Sequence, residues 1–223
     1  MNIAVLSLTR DRLDYTKHCF ASLYANAGCE FDHFVTDQGS EDGTVDWLLE
    51  HTDATVYAYP ENIGIVPALN AMIDDLLDQA DYDVIVKVDN DCELVTPNTL
   101  RDVCELVLER DAILSPHIRG LRSTPQPIGA DDKITFTEVI GGIFTAAPAW
   151  LFKNGYRHPL NPTLDGEDFN LCWSFRMHRG GQVGYVNGYE AWHYETTDGQ
   201  HLRFPAYFAR REQEREAVRR VAA

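Results

Sequence analysis

Val84-Ile85-Val86-Lys87-Val88-Asp89-Asn90-Asp91 decides the reading of this chain. An apolar run of strand length switches abruptly to two acidic side chains one residue apart. A buried strand that ends this way delivers its carboxylates to its C-terminal edge, where α/β sheets bind ligands. Two carboxylates that close disfavour joint ionisation unless a cation is present. Mg²⁺ or Mn²⁺ relieves that repulsion and accepts phosphate oxygens as further ligands. Lys87 is a second source of positive charge, although strand alternation can point it away.

Working outward, apolar runs alternate with helical patterns. Ile3 to Leu8 reads as a central strand, and residues 11–27 as a helix with Leu13, Thr16, Phe20, Leu23 and Ala27 on one face. Phe34-Val35-Thr36 is strand-like and leads into the turn-rich Asp37-Gln38-Gly39-Ser40-Glu41-Asp42-Gly43. Val45 to Leu49 reads as a short helix and Thr55 to Ala58 as a strand. Pro67 to Gln79 reads as a helix buried through Val66, Leu69, Ile73 and Leu76 or Leu77, with Pro67 in its first turn. Thr96-Pro97 predicts a cap and first helical position for a helix ending near Arg110. Ala112 to Ser115 is strand-like again. This alternation predicts an α/β fold with a largely parallel sheet. The loops at 9–12, 37–43 and 89–91 then all lie at strand C-termini.

The second half is less regular. Residues 116–133 read as a long loop, Ile134 to Ile140 and Ile143 to Ala146 as strands around Gly141-Gly142, and Pro148 to Phe152 as a short helix. Glu167 to Arg179 is a helix candidate, and Gln182 to Val186 a last strand. Arg203 to Ala223 holds six Arg and three Glu and reads as helical from 207 to 221. A surface helix packed on an acidic body is the expectation, with weak contact to an anionic membrane or a partner as the alternative.

At 223 residues one domain is the default. A formal net charge of -16 argues against a nucleic-acid-binding face, which needs concentrated Lys and Arg. No run is apolar enough for a membrane span, and the N-terminus lacks the layout of a signal peptide. Five scattered cysteines without a CxxC pair point to free thiols in a reducing compartment. We therefore expect a cytoplasmic protein or one peripheral at the inner face of the membrane.

Asp37 ends a strand. It can accept an N–H from a nucleobase, or cap the Gly39-Ser40 turn through backbone N–H groups. Gly39 and Gly43 permit a tight loop, but neither a P-loop nor a GxGxxG fingerprint is present. Glu167-Asp168 opens a helix, where acidic residues complement the macrodipole; either carboxylate can also act as a general base, its pKa lowered by the helix start. His193 follows an aromatic segment and is either structural or the imidazole of a mixed metal site. His117, His158 and His178 keep a structural reading.

These elements, in this order, resemble the family 2 glycosyltransferases with the GT-A fold, from about Ile3 to His193. The matching pieces are Leu6-Ser7-Leu8-Thr9-Arg10-Asp11-Arg12, Asp37 to Thr44, Asn62-Ile63-Gly64 through Asn70, Asp89-Asn90-Asp91, Gly141-Gly142, and Glu167-Asp168 followed by Leu171 and Gly180-Gly181. Gln38 departs from the family, which often has a second acid there.

The resemblance implies a single GT-A, Rossmann-like domain over 1–202, with a nucleotide-binding half at about 1–115, an acceptor-side half at about 116–202, and the tail 203–223 outside it. It implies that Thr9, Arg12, Asp37, Asn62, Asn70, Asp89 and Gly142 line a nucleoside-diphosphate sugar. Asp91, with Asp89 and His193, would hold Mn²⁺ or Mg²⁺. Asp168 would be the base, with Glu167 as runner-up. The activity implied is inverting transfer of the sugar to a hydroxyl of a carbohydrate, lipid-linked or other acceptor. Two rivals stand beside it: a sugar-phosphate nucleotidyltransferase, although Thr9 to Arg12 has no glycine for a triphosphate loop, and an inactive nucleotide-sugar-binding domain.

Overall fold

The computed structural model describes residues 1–160 and 166–222; Ala223, the end of the expected tail, lies outside them. The elements in chain order are β1 (Ile3–Thr9), α1 (Leu13–Asn26), β2 (Asp32–Gln38), α2 (Thr44–His51), β3 (Thr55–Tyr59), α3 (Ile65–Gln79), β4 (Val84–Val88) and β5 (Cys92–Leu94). They continue as α4 (Thr99–Arg110), β6 (Ala112–Arg119), β7 (Pro127–Ala130), β8 (Ile134–Thr137), β9 (Phe144–Pro148), α5 (Trp150–Lys153), α6 (Glu167–Arg179), β10 (Gln182–His193), α7 (Thr196–Arg203) and α8 (Pro205–Ala222).

Among the described residues the strands form one ten-stranded sheet, ordered β3-β2-β1-β4-β9-β6-β10-β8-β7, with β5 pairing β10. The single α/β domain with helices flanking the sheet is as the sequence implies. The sheet itself is mixed. Strands β3, β2, β1 and β4 run parallel, as does β10 with β6. β9 runs antiparallel to β4 and, at Leu114, to β6. β4 is buried along its whole length, as its Val/Ile content requires of a strand covered on both faces. The main core joins β1, β4, β6 and β9 to α3, α4 and α6 through residues such as Leu6, Leu69, Val86, Val103, Phe144 and Phe175.

Three local differences from the sequence reading have physical causes. α4 begins at Thr99, not at Pro97, because Asn98 takes a left-handed φ of 61° and the Thr99 hydroxyl closes the turn on the Thr96 carbonyl at 2.6 Å. Residues 116–133 are not all loop. β6 continues to Arg119, and Pro116 is tolerated because β9 reaches β6 only at Leu114, leaving that edge without a ladder bond to lose. β10 continues past Val186 to His193 through a register shift before Glu190, where Gly188 takes a φ of 84°. That extension carries His193 toward the C-terminal end of β4. No described helix is long and apolar enough to cross a membrane.

Candidate active site

β1 and β2 pair in register with Thr9 beside Asp37. The Thr9 hydroxyl donates to Asp37 Oδ2 at 2.8 Å, and Ser40 donates its N–H to Oδ1 at 2.9 Å and its hydroxyl to Oδ2 at 2.5 Å. Asp37 is fully buried, so its present work is to cap the turn after β2. Gly39 (φ 74°) lies so close to the next loop that an added Cβ would meet the Pro60 carbonyl oxygen at 3.0 Å. Asn62 caps its own turn, accepting the Gly64 N–H at 3.0 Å.

After β1 the chain turns through two left-handed residues, Asp11 (φ 50°) and Arg12 (φ 59°). Such strain in non-glycine residues persists only when neighbours hold it. Here Ser40 Oγ accepts the Asp11 N–H at 2.7 Å, and Asp11 Oδ1 accepts the Glu41 N–H at 2.9 Å. The turn aims Arg12 inward. Its buried guanidinium donates to Asp91 Oδ2 at 3.1 Å, Asn90 Oδ1 at 3.2 Å and Gln200 Oε1 at 2.8 Å.

The two carboxylates of the acidic triplet face different cations. Asp89 Oδ1 lies 2.6 Å from Lys87 Nζ, so alternation points both side chains to one side of β4. Asp91 faces Arg12 and His193, whose Nε2 is 3.5 Å from Oδ2. Antiparallel pairing of β10 with β5 sets His193 opposite Cys92, and the Tyr194 N–H donates to the Asp91 carbonyl at 2.9 Å. Burial alone would raise the Asp91 pKa, but His193 and Arg12 hold it well below the ordinary carboxylate range. Asp89 is raised, by burial and by the nearby Asp91 and Glu167 charges, against the opposing pull of Lys87.

Ligands of one octahedral ion at its usual bond lengths stand about 3 Å apart. Asp91 Oδ2 and His193 Nε2, 3.5 Å apart, therefore fit two positions of a Mn²⁺ or Mg²⁺ shell. Among the described residues no three His, Cys, Asp or Glu side chains converge as a cage. The pair fits an ion that keeps water and phosphate oxygens as its other ligands.

α6 delivers the second pair of acids. Glu167 Oε1 lies 3.2 Å from Lys87 Nζ, which also donates to the Gly142 carbonyl at 2.5 Å. β9 makes this possible, because its pairing with β4 and the Asp89 N–H bond to the Ile143 carbonyl at 2.9 Å set the Gly141-Gly142 turn beside Asp89. Burial pushes Glu167 up, but Lys87 outweighs it and holds the carboxylate below its ordinary value. Asp168 goes the other way: burial first, then the Glu167 charge, raise it. For Asp168 this corrects the expectation of a pKa lowered by the helix start; Glu167 is lowered, but by Lys87. The N–H of Phe169 does reach Asp168 Oδ1 at 2.7 Å, but desolvation and a like charge win.

The structure thus joins the predicted residues into two linked groups. Thr9, Arg12, Asn62, Asp89 and Asp91 line one groove with Leu8, Arg10, Gln38, Asn90 and Tyr207, and Asp37 backs it through Thr9. Glu167, Asp168 and Gly142 gather around Lys87, and Asp89 connects the groups. Asn70 stands apart, clamping the His158 backbone with bonds of 2.8 and 2.9 Å. Arg10, Gln200 and Tyr207 were not singled out from sequence, where only the basic character of 9–12 hinted at Arg10; Gln38 stood out only as the departure from the family's second acid. Three buried polar atoms in the groove, Arg10 Nε, Arg12 Nε and Gln38 Oε1, have no protein partner. Such atoms are uncommon, and a water or a ligand reaching the groove could satisfy them. A larger depression of about 1190 Å³ lies at the opposite edge, near Ile3, Asp32, His33 and Thr55. It sits at strand N-termini, the wrong end for an α/β ligand site.

Several solved structures share the fold. Residues 1–349 of S. aureus TarS in complex with UDP-GlcNAc superpose with a TM-score of 0.65 at 19% identity, covering 86% of this chain and 58% of that one. The mannosyltransferase PcManGT from Pyrobaculum calidifontis in complex with GDP-Man and Mn²⁺ gives 0.66 at 16% identity, covering 90% and 59%. GalNAc-T7 with UDP, GalNAc and Mn²⁺ gives 0.68 at 14% identity, covering 89% and 45%. The chain thus spans less than two thirds of the length of each. No curated protein matches the chain. The family model described as glycosyl transferase family 2 matches residues 5–177. That stretch holds both groups of site residues except His193 and Tyr207, and over it the chain belongs to glycosyl transferase family 2.

Proposed function

We propose that the chain transfers a sugar from a nucleoside-diphosphate sugar to an acceptor hydroxyl, with inversion at the anomeric carbon and the help of a divalent metal. One observation carries the reading. A groove with unpartnered polar atoms at the ends of β1, β2 and β4 connects, through Asp89 and Lys87, to an acid pair whose pKa values are driven apart. Such divergence separates a fixed charge from a working base.

Lys87 holds Glu167 ionised and in place, which leaves Asp168 free to accept a proton. Asp168 removes the proton of the acceptor hydroxyl as that oxygen attacks the anomeric carbon from the face opposite the leaving diphosphate. A carboxylate of raised pKa is the better acceptor near neutral pH. Arg12, and Asp89 with its Lys87 partner, bind and orient the nucleotide side of the sugar donor. Asp91 and His193, with Asp89 nearby, would hold Mn²⁺ or Mg²⁺, which neutralises charge on a leaving diphosphate. The acceptor is a carbohydrate, a lipid-linked molecule or another hydroxyl compound.

Thermal-shift screening of UDP- and GDP-sugars with and without Mn²⁺ tests the proposal. A true sugar donor at one hundred times its Kd stabilises the fold by about 2.7 kcal/mol. Absence of any shift, or pyrophosphate release from a nucleoside triphosphate and a sugar phosphate, rejects it.

A further inference from the structure

The Arg/Glu-rich helix α8 does not pack on the body at random; it crosses the mouth of the groove. Its Glu214 carboxylate accepts two bonds from the Arg10 guanidinium, at 2.6 and 2.5 Å, and one from Asn62 Nδ2 at 3.2 Å. Seven residues earlier, the Tyr207 ring lies 4.8 Å from the Arg12 guanidinium that covers Asp91. Arg210 reaches Asp11 at 3.4 Å. α8 thus engages three successive residues of the strained turn after β1.

We propose that α8 is an autoinhibitory clasp: Glu214 occupies the anion-binding Arg10 at the groove mouth, Tyr207 covers Arg12, and a nucleotide reaches the groove only when the helix lifts. The inference rests on the reading of the groove as the nucleotide site.

Volume supports it first. With α8 down, the groove beside Thr9, Arg12 and Asp91 holds about 140 Å³. Small-molecule sites usually hold about 300–1,000 Å³. A second cavity of about 500 Å³ lies on the other side of the Arg10–Glu214 contact, and the two share Arg10, Gln38, Asn62, Ile65 and Arg211. α8 walls both, through Tyr207 and Arg211 on one and Arg210, Arg211, Glu214 and Ala217 on the other, so lifting it opens the two as one wider groove.

The chemistry of the contact supports it second. Two parallel bonds between a guanidinium and a carboxylate are the geometry in which Arg also grips phosphate, so Glu214 competes for a group suited to an anionic ligand. Arg10 draws the Glu214 carboxyl below its ordinary value, so Glu214 is charged at neutral pH. The contact is open to water on one side: the Glu214 side chain is 38% exposed, against 11% for Arg10, so solvent can take over the carboxylate as the helix lifts. Among the described residues α8 contributes no fully buried apolar side chain, so lifting it leaves the core intact.

The test compares the full chain with Glu214→Gln, using UDP and GDP with Mn²⁺ as probes. It measures amide hydrogen exchange over 205–217 and nucleotide affinity by calorimetry. A closed state that dominates lowers apparent affinity by the open fraction, so the variant should bind roughly three- to tenfold more tightly. Its α8 amides should exchange faster, and a bound nucleotide should speed α8 exchange in the wild type. Unchanged α8 exchange in the variant overturns the clasp. So does weaker binding by the variant together with slower α8 exchange in the nucleotide complex, which makes α8 a wall of the site. If neither nucleotide binds either protein, the nucleotide reading itself fails, and the inhibitory role with it.

Discussion

Lys87 Nζ stands 3.2 Å from Glu167 Oε1, tying the strand that ends in the acidic triplet to the helix that begins with the acid pair. Burial would strip the proton from Lys87. The carboxylates of Asp89 and Glu167 reverse that and raise its pKa above the ordinary value. One ammonium therefore serves both halves of the site, holding Asp89 at the nucleotide groove and Glu167 beside Asp168.

Removing that ammonium should cost the fold heavily. Lys87→Met leaves Glu167 buried and Asp89 half-buried without a cation, and loss of one member of a buried ion pair costs about 3–5 kcal/mol. Urea unfolding at neutral pH measures it; a loss within 1 kcal/mol would mean that water already screens the cluster.

Asp168→Asn should lower kcat by roughly 10²–10⁴ while leaving nucleotide affinity unchanged, as loss of a general base does. A base works only when ionised, and the Asp168 pKa is raised by burial and Glu167. Falling pH should therefore switch activity off above the ordinary Asp value of about 3.9, along the acid limb of kcat/KM. A limb below that value would rule out Asp168 as the titrating base, because its pKa is raised.

Asp91→Ala should remove the anchor it forms with His193. Calorimetry with and without Mn²⁺ should show the metal tightening nucleotide binding in the wild type and having no effect in the variant. An equal response to Mn²⁺ in both would place the ion elsewhere.

Gly142→Ala tests how closely the acids are seated. A Cβ there would meet Glu167 Oε1 at 3.0 Å and Asp168 Oδ2 at 3.4 Å. The Glu167 carboxylate must give way, pressing the acid pair from one side, and small misplacements of catalytic groups cost up to about 10²-fold in rate. We expect that loss with a melting temperature within a few degrees of wild type. Full activity would show that the acids have slack.

Acid stability should report on His33, which does not line the groove. Burial lowers its pKa to about 3, and it bonds Ser7 Oγ at 3.0 Å and the Tyr24 hydroxyl at 2.8 Å. Below about pH 6.5 the unfolded chain binds a proton that the folded protein refuses, so stability falls as pH drops from there toward 3. His33→Gln should flatten that part of the profile in thermal melts; an unchanged slope would assign it to other groups.

Much of this was legible in the residues. The strand ending in Asp89-Asn90-Asp91, the buried stripe of α3 and the acid pair opening α6 announce themselves through periods of 2 and 3.6 and through abrupt polar switches. Asp37 shows the limit of such reading, since its local pattern suits both a turn cap and a base contact. The structure presents the cap.

What the sequence by itself determined is the α/β class and the order of the motifs, because both follow from local hydrophobic patterning. Only the tertiary structure decided which cation each carboxylate faces: Lys87 for Asp89 and Glu167, Arg12 for Asp91, Arg10 for Glu214. It also decided that β9 enters the sheet antiparallel beside β4 and that α8 lies on the groove. These pairings join residues far apart in the chain, and no local period encodes them; they are set by which elements the ten-stranded sheet brings side by side.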